Sequence, residues 1–272
     1  MRGRFGVVRV VGLSWLLWAT AVSSAPAQPA NDPFATRGAA DEWAVTLGAG
    51  AALRPTFEGS DRYFVSPLPF VSVVWRDTVS LDTSGLNAYR RFGGLQVGGG
   101  LTYSLGRRQG SSVFAQGDER LAGLGDVPAA LGARGFANYR LGPAILGVTV
   151  TKFLMQGNDG LLVDAGVALP WRVSDRLSLL GRVSAVWADA SHTQTYFGVT
   201  PAQSAASGYP VHQAGAGLKD VGLGVGARYR LAEHWMLSAN ARVSRLMDDA
   251  AGSPFTVADT GVTVFGMVGY RF

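Results

Sequence analysis

The amino-acid sequence predicts an all-β protein: a transmembrane antiparallel up-and-down β-barrel of about 12 strands, with short periplasmic turns and longer outer loops. Three observations carry the prediction. Apolar residues alternate with polar or tiny ones at period two from end to end. Short turns alternate along the chain with longer irregular connections. Glycine supplies 37 of 272 residues, charged residues only 16%, hydrophobic residues 47%, and the mean hydropathy is +0.16. Soluble proteins carry about 7% glycine and about 25% charge, so both quantities depart from the soluble norm. Disorder is excluded by the apolar content, and collagen by glycines that follow no three-residue period. The absence of cysteine removes disulfide frameworks, thiol catalysis and Cys-ligated metals.

Residues 1–27 read as a cleaved signal peptide. Arg2, Arg4 and Arg9 form a basic start, Val10 to Val22 is mostly apolar, and Ala25-Pro26-Ala27 offers a small–x–small cleavage pattern. These 13 residues fall short of the roughly 20 that a spanning helix needs. Residues 28–41 make a short N-terminal segment, and 42–272 the barrel. Removing the signal takes away three arginines and lowers the net charge from +5 to +2. The remaining basic residues are scattered arginines with only Lys152 and Lys219 besides, which leaves no nucleic-acid footprint.

The strands follow in order. The alternation is clearest in Val221 to Leu231, where Val221, Leu223, Val225, Ala227, Tyr229 and Leu231 share one face. Gly222, Gly224, Gly226, Arg228 and Arg230 share the other. Trp235 to Arg245 and Leu95 to Leu105 repeat the device. Successive strand side chains point to opposite faces, so each segment has one apolar face for lipid and one polar or small face for the lumen. Short turns are expected at Arg76-Asp77, Leu105 to Gly110, Leu141 to Pro143, Ser174-Asp175 and Ala232 to His234. Outer loops are expected at 54–63, 89–93, 117–128, 156–160, 188–219 and 247–258. Five turns and six loops join 12 strands and leave both termini on the short-turn side.

Aromatic residues mark the strand ends. Trp75, Tyr103, Tyr139, Trp171, Tyr229, Trp235 and Tyr270 lie near expected short turns or the C-terminus, where an interfacial girdle belongs. The final row Val262, Val264, Val268, Tyr270 and Phe272 ends an apolar face on an aromatic. Tyr270 and Phe272 are therefore the expected assembly signal, in the strand that must pair with the first to close the sheet.

Catalytic chemistry finds little footing. There are three histidines, none in an expected strand. Ser191 and His192 are adjacent, but neighbours on an extended chain point apart, and a solvated loop histidine is the plainer reading. There is no metalloprotease motif, phosphate-binding loop or paired metal ligand set. Asp248-Asp249 reads as a solvated loop tip. The expectation is a protein without catalytic residues, cofactor or metal. The lumen face is more informative: Arg134, Arg182, Arg228, Arg230 and Arg242 point inward by parity, with Asp82 and Asp164. They can line a selectivity path for anions or form an arginine–acid network that plugs a narrow lumen. Twelve strands favour the mixed or plugged interior.

Several outer segments carry a family resemblance. Pro55-Thr-Phe-Glu-Gly-Ser60, Thr195-Tyr-Phe-Gly-Val199, Ala206-Ser-Gly-Tyr209, Asp249-Ala-Ala-Gly-Ser-Pro254 and the closing Tyr270-Arg-Phe272 occur in order. With the barrel pattern, they make the chain resemble the MltA-interacting protein family, also called MipA/OmpV, over nearly all of 28–272. The resemblance implies an outer-membrane barrel of a Gram-negative bacterium, held in outer-membrane lipid. It implies a scaffold joining a murein-cleaving lytic transglycosylase to a bifunctional penicillin-binding protein, and it implies no catalytic residues. Two other functions are expected alternatives. One is a narrow channel for small solutes; the other is a surface adhesin or receptor using loop 188–219 with Tyr196 and Phe197 exposed.

Overall fold

The computed structural model describes residues 43–111 and 116–272. The expected signal peptide and the segment 28–41 lie outside the described residues. Twelve strands form one closed antiparallel barrel in which β1 (Trp43–Pro55) pairs with both β2 (Tyr63–Trp75) and β12 (Thr260–Arg271). Between them run β3 (Val79–Asp82), β4 (Gly85–Phe92), β5 (Leu95–Ser104), β6 (Ala130–Leu141), β7 (Ala144–Phe153), β8 (Leu161–Arg172), β9 (Leu177–Ala188), β10 (Gly217–Arg230) and β11 (Trp235–Leu246). Closure sets Leu47 opposite Tyr270 and Leu53 opposite Val264, so the first and last strands pair with each other.

The alternation in the sequence becomes the alternation of the wall. On β10, Val221, Leu223 and Val225 are exposed on the outer surface, and the intervening glycines face inward. No helix among the described residues is long and apolar enough to cross a membrane. The outward rows of Val, Leu and aromatic residues form the apolar band that a barrel turns to lipid.

Two connections depart from the sequence-based expectation. Tyr89 to Gly93 is not an outer loop: Arg90 and Arg91 continue β4 to Phe92, and the chain reverses at Gly93-Gly94 on the inner side. Gly93 has φ +58°, a conformation that glycine adopts without a Cβ penalty. The matching outer reversal is the two-residue turn Thr83-Ser84 between β3 and β4, where Asp82 accepts from the Ser84 amide at 2.7 Å. Leu105 to Gly110 is not an inner turn. Arg107 bridges to Val127 by two backbone hydrogen bonds, so 105–129 is a single outer connection. The strand expected between 110 and 117 thus has no counterpart among the described residues, the one expected over 78–88 is split into β3 and β4, and the number 12 stands because the two departures cancel. Tyr103 consequently sits at the outer rim rather than in the inner girdle.

The packed core is not in the middle of the wall but at its outer end. Helices α1 (Ala190–Phe197), α2 (Pro201–Ser207) and α3 (Asp248–Ala251) and a 3-10 turn at Glu119–Leu121 lie in the outer connections. The largest side chains with almost no exposure are Phe197, Lys219, Phe255, Leu121, Val186, Val199, Asn158 and Ser60. All eight lie in outer connections or at the outer ends of strands.

Candidate functional site: a charged interior beneath a packed outer cap

The cap is built from local signals that then pack over long range. Asp189 caps α1 by accepting from the His192 amide at 2.8 Å. Thr200 and Gln203 form a reciprocal capping box on α2 with Pro201 at its first turn. The helices are only four to eight residues long, so packing must hold them. Phe57, Leu121, Leu124, Val199 and Phe255 form one apolar cluster, drawn from four separate outer connections. Val127, Tyr196, Phe197, Leu246 and Ala250 form a second.

Hydrogen bonds tie the same connections together. Thr56 Oγ1 donates to Asp118 at 2.7 Å, Ser253 Oγ to the Phe197 carbonyl at 2.6 Å, and the Arg107 guanidinium to the Tyr196 carbonyl at 2.6 Å. Burial brings Arg107 down to about 10, so it remains cationic at neutral pH. Its guanidinium also lies 5.2 Å from the Phe255 ring centroid.

These contacts correct three expectations about the outer loops. Tyr196 and Phe197 are buried, not displayed. The Asp248 and Asp249 carboxylates accept from the backbone amides of Leu218 and Gly215, so the tip, although Asp248 is exposed, is tied to the start of β10 rather than free in solvent. His192 is buried, stacked on Tyr196 at 4.5 Å, and neither ring nitrogen has a hydrogen-bond partner. Burial, with the Lys219 ammonium acting in the same direction and Asp220 against it, holds its imidazole at about 3. The neighbouring Ser191 hydroxyl donates instead to Asp159 at 2.7 Å. Among the described residues no group of three or more His, Asp or Glu could hold a metal ion.

Below the cap runs a chain of alternating charge. Glu58, from the first outer connection, accepts from Lys219 at 2.7 Å. Lys219 pairs with Asp220 at 2.9 Å, and Asp220 with Arg242 at 2.7 Å. Arg242 also donates to Ser184 at 2.8 Å. Lys219 and Asp220 are consecutive, yet both are buried, because the β9–β10 register shifts between Leu218 and Asp220. A bulge places two successive side chains on the same side of the wall. Strict parity would send Lys219 outward, which is why sequence reasoning missed it; Glu58 was read as part of the outer loop 54–63.

The residues expected along the lumen take different positions. Arg182 pairs with Asp164, and Arg242 joins the chain just described. Arg134 donates to Asn87 at 2.8 Å and to Ser84 at 3.0 Å. Asp82 is engaged by the Ser84 turn at the outer rim. Arg228 stands opposite Ser238 and Ser178 near the inner end. Arg230 is exposed at the inner rim and donates to the Asp175 carbonyl of the adjacent turn.

The inward glycines explain how these long side chains fit. A Cβ at Gly222 would lie 2.6 Å from the Arg242 guanidinium carbon, and one at Gly166 3.1 Å from Arg182 Nε. A Cβ at Gly147 would meet the Asn138 carboxamide at 2.8 Å. Arg242, Arg182 and Asn138 each lie across a glycine on a neighbouring strand. The high glycine content thus provides room for a filled interior.

At the C-terminus, the Phe272 amide donates to Val45 at 3.0 Å and its ring packs edge-on to Tyr270 at 4.9 Å. Tyr270 also touches Trp235 and His234, and His234 hydrogen-bonds the Arg271 carbonyl at 2.9 Å.

Comparison with known proteins places this geometry. The chain is similar to OmpT of Vibrio cholerae, an outer-membrane protein, at 11% identity over 85% of this chain and 98% of that one, with TM-score 0.39. It is similar to a bacterial polysaccharide outer membrane secretin at 12% identity over 84% and 98%, with TM-score 0.46. Neisserial surface protein A matches at 13% identity over 85% and 98%, with TM-score 0.24. Likenesses this distant say nothing of function. No curated protein matches. The family model described as MltA-interacting protein MipA matches residues 47–272, from the third turn of the alternation in β1 to the terminal phenylalanine. This outer-membrane β-barrel belongs to the MltA-interacting protein (MipA) family.

Proposed function

We propose that the chain is a non-enzymatic outer-membrane scaffold for murein enzymes. Its partners in this reading are a lytic transglycosylase of the MltA type and a bifunctional penicillin-binding protein. Family membership is the observation that carries it, through the partner that the family description names. The cap and the arginine–acid pairs agree with it, since both fill space that an open channel would leave to water. The apolar outward rows contact outer-membrane lipid, and residues 1–27 direct export.

The test uses the mature chain in lipid nanodiscs and purified MltA-type transglycosylase. Co-elution of the two, and of the penicillin-binding protein with them, is expected. Absence of any complex, with the barrel shown to be closed by its heat-modifiable gel shift, would remove the reading. The inward arginines motivate a narrow anion channel as the second reading. It requires conductance steps in planar bilayers that weaken when Arg182 and Arg242 are neutralised. A silent bilayer after verified insertion would exclude it.

A further inference from the structure

The barrel closes in strand order, but its wall is not of even height. β2 pairs with β1 along its whole length and with β3 only through Val73, Val74 and Trp75. Among the described residues, no strand pairs with residues 63–72 on the side away from β1. A strand needs roughly 9–11 residues to span the hydrocarbon, so most of this gap lies at membrane depth. On its far side β5 outlasts β4, and Thr102, Tyr103 and Ser104 pair with β6 alone. Two missing strands leave about 10 Å between the flanks, room for an alkyl chain. The Thr83-Ser84 turn forms the sill of this window. The 105–129 connection crosses above it, where Thr56 and Ser60 hold Asp118 and Asp61 holds Arg120.

The chemistry of the frame limits what can fill it. The β1–β2 ladder runs unbroken through Ala51–Pro67 and Ala49–Pro69. Proline has no N–H to give such a ladder, so both residues turn their nitrogen edge toward the gap. An edge without those two donors is blunted against a pairing strand, which favours a lipid-borne occupant over a peptide. Val65, Pro67, Pro69 and Val71 are exposed on the outward side of β2, and Phe64, Leu68 and Phe70 are buried on its lumen side. Both faces of this flank are thus mainly apolar. The sill is polar. Arg134 reaches it from β6, donating to Ser84 at 3.0 Å and to Asn87 at 2.8 Å, both neutral acceptors. Asp82, whose charge also acts on Arg134, accepts from the Ser84 amide and hydroxyl at 2.7 and 2.5 Å. A phospholipid phosphate stays at headgroup depth. A single-chain acid can enter the hydrocarbon, since burial favours its uncharged carboxyl.

We infer that this window is a lateral binding site for a single-chain fatty acid, with its tail beside β2 and its carboxylate on Arg134. A guanidinium recognises a carboxylate through forked, charge-assisted hydrogen bonds. In the strand order the window lies across the barrel from the Arg182–Asp164 and Arg242–Asp220 pairs, and it is independent of the scaffold reading.

The test uses the mature barrel in zwitterionic nanodiscs and palmitic acid carrying a photoreactive diazirine at mid-chain. On irradiation the acid should label residues 65–71 and 101–103 about tenfold more than Leu223 and Val225 on the opposite wall. The methyl ester of the same probe should label both walls alike. Arg134→Gln should remove the excess while keeping the heat-modifiable shift. If that variant does not assemble, the comparison of acid with ester on the wild type decides. Equal labelling of the two walls by the acid, or the same excess with the ester, would overturn the site. A diazirine-bearing phosphatidylglycerol that labels the window as strongly as the acid would overturn the fatty-acid assignment and give the window to phospholipid.

Discussion

The two ends of the barrel are built on opposite principles. At the outer end, residues distant in sequence meet: Thr56 with Asp118, Glu58 with Lys219, Arg107 with Tyr196. At the inner end, turns of two to four residues join neighbouring strands, and strands arriving there carry an aromatic–arginine pair, as in Tyr139-Arg140 and Trp171-Arg172. The outer end therefore depends on buried long-range packing, whereas the inner end depends on local chemistry at an interface. Damage should consequently spread differently. A buried outer residue supports several connections at once, and an inner one supports little beyond its own strand unless it takes part in closing the barrel.

Closure gives the largest expected effect. Phe272 and Phe92 are both exposed aromatics at inner strand ends, with 64% and 60% of their surface open. Only Phe272 follows the strand that closes onto β1. Phe272→Ala should leave most of the chain unassembled in the periplasm, without a heat-modifiable shift, while Phe92→Ala assembles normally. Equal assembly of the two variants would remove the terminal aromatic as a signal. His234 is a poor control here because it contacts both Tyr270 and Arg271.

The next effect belongs to the cap. Lys219→Met would remove the buried ammonium between the Glu58 and Asp220 carboxylates, leaving Asp220 with Arg242 and Glu58 without its cation. Breaking such a pair costs about 3–5 kcal/mol. Limited proteolysis should then cut within 189–216 while the strands stay protected. If the cleavage pattern matches wild type, the outer end does not hang on this triad.

Acid should act on the same region more gently. His192 has its folded value lowered to about 3, against an unfolded value of about 6.5. A lowered histidine contributes stability above its unfolded value and loses it as pH falls from about 6.5 toward 3. At pH 5 the loss is about 2 kcal/mol. Hydrogen exchange in α1 should accelerate over that window and not in β6 or β7. His192→Phe, which keeps the stack on Tyr196, should flatten the dependence. An unchanged pH profile in that variant would point to another titrating group.

The smallest effect is expected at the exposed outer pair Arg245–Asp259, whose side chains are 65% and 43% open. Arg245→Gln should change stability by less than about 1 kcal/mol, read as the same midpoint in urea unfolding. A larger change would mean that the outer surface, and not only its interior, is coupled to the cap.

Much of the fold was legible because it obeys a local rule. An apolar outer face and a polar or small inner face impose period two, and Val221 to Leu231 displays that period without any knowledge of its neighbours. The inner turns at Arg76-Asp77, Leu141 to Pro143, Ser174-Asp175 and Ala232 to His234 were readable for the same reason. Tyr89 to Gly93 was misread because its arginines look like loop polarity. They lie at the rim, where a charged side chain can stay in a strand and still reach water. The pairs Arg182–Asp164 and Arg242–Asp220 involve residues that parity places on one face, but which acid meets which arginine depends on register.

By itself the sequence determined the strand alternation, four of the inner turns and the aromatic ends of the strands, all of which follow from chain-local geometry. Tertiary structure decided the rest: that the outer loops bury Phe197 and His192, that a bulge turns Lys219 inward, and that Glu58 meets it across 161 residues of chain. The physical reason is that burial and charge pairing are properties of two segments at once. No periodicity within either segment records which partner the closed barrel will bring to it.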